Sequence, residues 1–133
     1  MKMTRWSVAK RLRSILLLVM DCDGTMTDGD VNHRRFDIHD GMGLANLRIQ
    51  KAIISGYKDE DIYKRAKQLD IDHAYLGIDN KLQAMDQLVK KLEIKYEQVC
   101  FIGDDLNDLE CIKKAGIGVA VHDAVKEVRK AAD

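Results

Sequence analysis

Apolar residues along the chain fall into two patterns. One is a set of short unbroken runs, at residues 15–20, 52–54, 73–76, 99–102 and 117–121. Runs without alternation predict strands that are covered on both faces. The other pattern has helical spacing. Ile62, Ala66 and Leu69 share one face of a helix expected over 59–69, with acids in its first turn. Leu82, Met85, Leu88, Val89 and Leu92 form the stripe of the next helix, and Asn80 is placed to cap it. Further helices are expected over 3–12 with Trp6 and Leu12 as apolar contacts, over 41–47, over 106–115 with Gly116 as its stop, and over 122–132. Residues 28–40 are polar and irregular, with Val31, Phe36 and Ile38 as remnants of a hairpin.

Strands alternating with helices predict a three-layer, Rossmann-like α/β fold, with a mainly parallel five-stranded core sheet and helices on both faces. Right-handed crossovers then bring the C-terminal ends of all strands to one edge, where open sheets bind ligands. The residues at those ends carry the chemistry. The first run ends in Asp21 and Asp23, the second in Ser55, the fourth in Asp104 and Asp105. Positions i and i+2 of a strand point the same way, so Asp21 and Asp23 start on one side before Gly24 lets the chain bend. Two carboxylates that close raise each other's pKa unless a cation lies between them, and a hard divalent cation with oxygen ligands answers that.

Composition narrows the function class. A chain of 133 residues predicts one domain, with 1–14 as an N-terminal extension, and is long enough to build a core without disulfides. With 22 basic and 22 acidic residues, no cationic surplus points to nucleic acid or to an anionic membrane. Cys22, Cys100 and Cys111 have no CxxC spacing, which predicts reduced thiols and a cytoplasmic protein. Lys2, Arg5, Lys10, Arg11 and Arg13 precede the first apolar run, but that run is too short for a secretory signal or a membrane span and ends in an acid.

Taken together, DCDGTMTD at 21–28, the Ser55 of IISG, Lys81, and GDDLND at 103–108 resemble the four motifs of the haloacid dehalogenase (HAD) superfamily. The wording is most similar to its small capless branch, the 3-deoxy-D-manno-octulosonate 8-phosphate phosphatases. Asp28-Gly29, Phe36, Asp40-Gly41-Met42-Gly43, Asn80-Lys81 and Gly116-Ile117 match that branch as well. The resemblance implies a HAD-like hydrolase domain over 1–133 without a large cap. It implies a Mg²⁺-dependent phosphatase acting on a small phosphorylated sugar or sugar acid, such as 3-deoxy-D-manno-octulosonate 8-phosphate of lipopolysaccharide biosynthesis. Asp21 would be the nucleophile that becomes an aspartyl-phosphate. Asp23 would be the general acid and then the general base, its backbone carbonyl also meeting the metal. Asp104 would complete the protein ligands of an octahedral Mg²⁺, with Asp108 and Asp105 orienting the ion's waters from behind. Ser55 and Lys81 would hold the phosphoryl oxygens, Lys81 also offsetting the developing charge.

Other residues have plainer expectations. His33, Arg34 and Arg35 are a charge run of the kind that lies in a solvated loop, His39 and His122 are surface residues, and Cys22 is a neutral filler. The chain also departs from the family. The span between Asp28-Gly29 and Phe36 is about half a dozen residues short, so 28–40 is a shortened hairpin or flap. The stretch 43–53 is abbreviated, and relatives continue past the position of Asp133. Tyr57 and His39 stand where many relatives carry arginine or another basic residue. Family members form homo-oligomers, often tetramers, through that hairpin and tail, which predicts a weaker assembly here. Two other functions compete with the phosphatase. One is a catalytically weak or non-catalytic oligomerisation or regulatory module, against which Asp21 and Asp23 both argue. The other is a phospho-receiver domain, whose acceptor lies on a middle strand, unlike the order here.

Overall fold

The computed structural model describes residues 2–133. All five expected strands form: β1 Leu17–Met20, β2 Gln50–Ile54, β3 His73–Tyr75, β4 Val99–Gly103 and β5 Ile117–Ala120. They make one parallel sheet in the order β3-β2-β1-β4-β5. The helices are α1 Arg5–Leu12, α2 Ile38–Asn46, α3 Glu60–Gln68, α4 Lys81–Lys91, α5 Leu109–Lys114 and α6 Lys126–Ala131.

Side-chain alternation along the strands sorts the core into two layers. Leu17 and Val19 of β1 join Ala52, Ile54, Val99 and Phe101 under Met85 and Leu88 of α4, Ile112 of α5 and Val128 of α6. Leu18 and Met20 face the other way, with Ile53 and Cys100, under Leu44 of α2 and Ile62 and Ala66 of α3. Both faces of β1 are thus buried, which is why its sequence is apolar at every position. Each large aliphatic side chain fully buried in this way contributes roughly 1.5–3 kcal/mol.

The strand order also locates a crevice. Helices α2 and α3 carry the chain from β1 outward to β3, and α4 returns it to β4 on the opposite side of β1. The order reverses between β1 and β4, and their C-terminal ends flank the gap. Register puts these two strand ends at one level. Met20 pairs with Ile102, and the Asp21 amide donates to the Ile102 carbonyl at 3.0 Å. The turn after β1 and the turn after β4 therefore start side by side.

Several local expectations are corrected. Helix α1 buries none of its residues, and Trp6 is 76 % exposed beneath Lys10 rather than an apolar contact, with Leu12 exposed as well. The hairpin remnant reduces to one antiparallel bridge, Thr27 to Phe36. Ile38 is not part of it but opens α2, because the Asp37 side chain caps the helix by accepting from the His39 and Asp40 amides at 2.7 and 3.0 Å. That moves the helix start three residues ahead of the glycines, within the apolar pattern but outside the expected 41–47. The expected 106–115 helix begins as a 3₁₀ turn, Leu106–Asp108, and the last helix starts only at Lys126. No helix among the described residues is long and apolar enough to cross a membrane.

Candidate active site

Asp21 follows β1, Asp104 follows β4, and Asp108 closes the 3₁₀ turn after it. Carboxylate oxygens from all three lie within 4.8 Å of one another. Between them comes Lys81, the first residue of α4. Its Nζ donates to Asp21 Oδ1 at 2.6 Å and to Asp108 Oδ1 at 2.8 Å, and the Lys81 side chain is 1 % exposed. Asn80 starts the helix that delivers this lysine, its side chain accepting from the Gln83 amide at 3.0 Å as expected of a cap.

The other Asp108 oxygen turns back on its own loop. It accepts from the Asp104 amide at 3.0 Å and the Asp105 amide at 3.3 Å. With both oxygens engaged and the side chain fully buried, Asp108 is an anchor rather than a free ligand. It fixes the loop that presents Asp104 and at the same time holds Lys81. Asp105 does different work, capping the 3₁₀ turn by accepting from the Leu106 amide at 2.7 Å. The geometry thus separates two acids that could not be ranked in the sequence.

Two glycines are required by close approach. A Cβ on Gly103 would stand 2.6 Å from the Asp108 carboxyl, so only glycine lets that group fold beneath the strand end. Gly24 has φ +83°, and a Cβ there would overlap the Asp104 carboxylate.

Ser55, directly after β2, is almost wholly buried, and its Oγ accepts from the Tyr57 amide at 3.2 Å. A cleft of about 240 Å³ opens over this edge, lined by Asp21, Asp23, Ser55, Tyr57, Asp104 and Asn107 among others. Lys81 lies under the cleft rather than in its wall. Asn107 was not singled out in the sequence, since an Asn in a turn has no distinguishing signal.

One expectation about the loop fails. Arg34 is not solvated: its side chain is 3 % exposed and forms a two-point ion pair with Asp23, Nε to Oδ1 at 2.7 Å and Nη2 to Oδ2 at 3.0 Å. His33 and Arg35 on either side are exposed as expected, and so are His39 and His122. Burial within a single residue of this run is a tertiary effect, produced by the return of 28–40 across the cleft edge. Cys22, Cys100 and Cys111 are all buried free thiols, and burial pushes their pKa values up to about 12, 11 and 12. They are inert fillers at ordinary pH.

The electrostatics fit a hard cation. Burial raises Asp21, Lys81 opposing and Asp108 adding to the shift, and burial together with Asp21 pushes Asp104 up to about 8. Lys81 itself is pulled down by burial, but Asp21 and Asp108 more than reverse this, leaving it above its ordinary value and charged. Three carboxylates against one ammonium leave an excess of negative charge. The donors available are oxygens alone, the set that suits Mg²⁺. The raised pKa of Asp104 links stability to pH. The folded state keeps a proton on Asp104 that an unfolded carboxyl, near 3.8, has already released. With respect to this group stability is complete below about pH 4 and is lost as pH rises toward about 8. A cation takes the proton's place, so the gain in melting temperature on adding Mg²⁺ should grow between about pH 5 and pH 8. Calorimetry in Mg²⁺ and in chelator checks this, and an equal gain at both ends of the range would contradict it.

Comparison with known proteins agrees with the geometry. Residues 77–133 match the family model of haloacid dehalogenase-like hydrolases. The chain is 37 % identical over 127 residues to the 3-deoxy-D-manno-octulosonate 8-phosphate phosphatase KdsC of Escherichia coli K12, covering 88 % of this chain and 68 % of that one. Among solved structures, the Moraxella catarrhalis 3-deoxy-D-manno-octulosonate 8-phosphate phosphatase, in complex with magnesium, phosphate and KDO, superposes with a TM-score of 0.93 at 34 % identity. That match covers 98 % of this chain and 80 % of the other. The cobalt-bound Haemophilus influenzae enzyme gives 0.86 at 34 % identity, covering 92 % and 78 %. On this identity, coverage and superposition, the chain belongs to the 3-deoxy-D-manno-octulosonate 8-phosphate phosphatase family of the HAD-like hydrolases.

Proposed function

We propose that the chain is a Mg²⁺-dependent phosphomonoesterase that hydrolyses a phosphorylated sugar acid of the 3-deoxy-D-manno-octulosonate 8-phosphate type. The observation that carries this reading is the cluster of Asp21, Asp104, Asp108 and buried Lys81 at the strand-order reversal. Asp21, Asp104 and the backbone carbonyl of Asp23 would hold the Mg²⁺, which when bound offsets the charge of the phosphoryl oxygens.

The chain's own residues account for the rest. Asp21 attacks phosphorus, and the bond to the sugar oxygen breaks as the bond to Asp21 forms. Asp23 gives its proton to that leaving oxygen. In the second half, Asp23 takes a proton from water as the water oxygen bonds to phosphorus, releasing inorganic phosphate and restoring the Asp21 carboxylate. Lys81 holds Asp21 Oδ1 from below, leaving its other oxygen for attack, and has one N–H left after its two carboxylate contacts. Ser55 Oγ, at the cleft wall, donates to a phosphoryl oxygen while accepting from the Tyr57 amide. Asp105 and Asp108 keep the loop bearing Asp104 in place. Three buried thiols support a reducing, cytoplasmic setting. With the hairpin reduced to the single bridge between Thr27 and Phe36, a homo-oligomer formed through this segment would have a smaller hairpin contact than a full ladder would give.

Phosphate release across a panel of sugar and sugar-acid phosphates tests the reading. Mg²⁺ should be required, and Ca²⁺ should inhibit, because its longer bonds and higher ligand number favour two-oxygen capture of Asp21 and cost it its attacking position. Full turnover in excess chelator, or equal turnover with Ca²⁺, would reject the site.

A further inference from the structure

Arg34 makes more contacts than any role in a loop requires. Beyond the fork on Asp23, its Nη1 reaches Asp59 at 2.8 Å and Asp61 at 3.2 Å, at the start of α3. Its guanidinium lies over the Tyr57 ring, 5.4 Å from the centroid. Asp23 and Tyr57 both line the cleft, whereas Arg34 does not. Nearly all its donors are committed, so it has little left to offer a substrate anion.

We propose that Arg34 is a positioning residue, which fixes the Asp23 carboxylate in the cleft by mounting it on the first turn of α3. The inference rests on the phosphatase reading above. A two-point fork fixes both the position and the plane of a carboxylate, which a single-point cation cannot do. Stability does not explain the arrangement, because a buried ion pair roughly breaks even against apolar side chains. Asp23 needs such support, for it stands on the turn just before Gly24, with φ +83°, beyond the end of the β1 ladder. The fork uses one lone pair of each oxygen and leaves the other for proton transfer.

Leaving-group dependence separates positioning from mere structure. The ratio kcat/KM covers all steps through formation of the aspartyl-phosphate. An alkoxide needs the Asp23 proton to depart, and nitrophenolate does not. Arg34→Met should lower kcat/KM for a sugar phosphate about a hundredfold, and for p-nitrophenyl phosphate by less than about fivefold. Arg34→Lys, which restores the charge without the fork, should recover only part of the loss. In an Asp23→Asn background, Arg34→Met should change neither substrate further, because the two residues act as one unit. Equal losses on both substrates, or additive losses in the double variant, would overturn the proposal. Crystal structures of the wild-type protein and Arg34→Met decide it independently of turnover. Asp23 should leave its wild-type rotamer in the variant, and an unmoved carboxylate would refute the inference. A wild-type protein with no Mg²⁺-dependent turnover would instead sink the phosphatase reading, while the crystallographic comparison still decides the positioning.

Discussion

Asp21→Asn should abolish phosphate release, a loss on the order of 10⁴-fold or more of the kind seen when a covalent nucleophile is removed. The amide keeps the shape of the carboxylate but has neither its charge nor its nucleophilicity. The fold should survive this change. Burial raises the Asp21 pKa, which means that the ionised carboxylate opposes folding as pH rises through that range. Asn removes that opposition and also takes away one of the charges that push Asp104 up to about 8. Lys81 retains Asp108 at 2.8 Å as a partner. In metal-free buffer at about pH 8, the variant should therefore melt at or above the wild-type temperature. The gain from Mg²⁺ should shrink, since a ligand charge is gone. Assay of phosphate release beside a thermal melt checks both halves. Retained turnover would reject the covalent route, and a collapsed melt would show that Asp21 holds the fold together.

Lys81→Met should damage stability and turnover at once. The methionine keeps the apolar stem but leaves Asp21 and Asp108 without their shared cation in a site that water hardly reaches. Removing one partner from a buried ion pair costs about 3–5 kcal/mol. The lower end applies here, because Asp108 still accepts from the Asp104 and Asp105 amides. For a chain of this size the melting temperature should fall by about 10 °C. Turnover should fall about 10²–10³-fold, since the loss frees Asp21 to move and removes a positive charge from beneath the phosphoryl group. Mg²⁺ should restore part of the stability, by supplying charge on the side of Asp21, but not the turnover. A variant that melts within about 2 °C of the wild type would show that the cluster does not depend on this lysine.

The pattern of apolar runs determined the strands, because burial on both faces leaves a signal within a few residues of chain. It determined the helices α3 and α4 in the same way, through Ile62 and Ala66 in one and Met85, Leu88 and Val89 in the other. The acids at the strand ends were legible because a parallel sheet brings those ends to one edge, although β1 begins at Leu17 rather than at 15 and the last helix at Lys126 rather than at 122. Boundaries moved where a side chain overrode the pattern, as when Asp37 capped α2 ahead of the glycines. Trp6 was misplaced because nothing in an isolated amphipathic turn tells whether another element will cover it.

Contacts between distant residues were decided only by the tertiary structure. Lys81 meets Asp21 from 60 positions away and Asp108 from 27, and only the crossover that returns α4 to β4 makes these one cluster. The difference between Asp105 and Asp108 arises from which of them points beneath the strand end, where Gly103 leaves the space. Arg34 is the strongest case. In the sequence it cannot be told from His33 or Arg35, since all three are cationic or polar residues in one irregular stretch. The path of that stretch places one of the three between Asp23, Asp59 and Asp61 and leaves the other two in water. Burial of apolar groups is written locally, whereas the pairing of charges depends on where the folded chain brings them together.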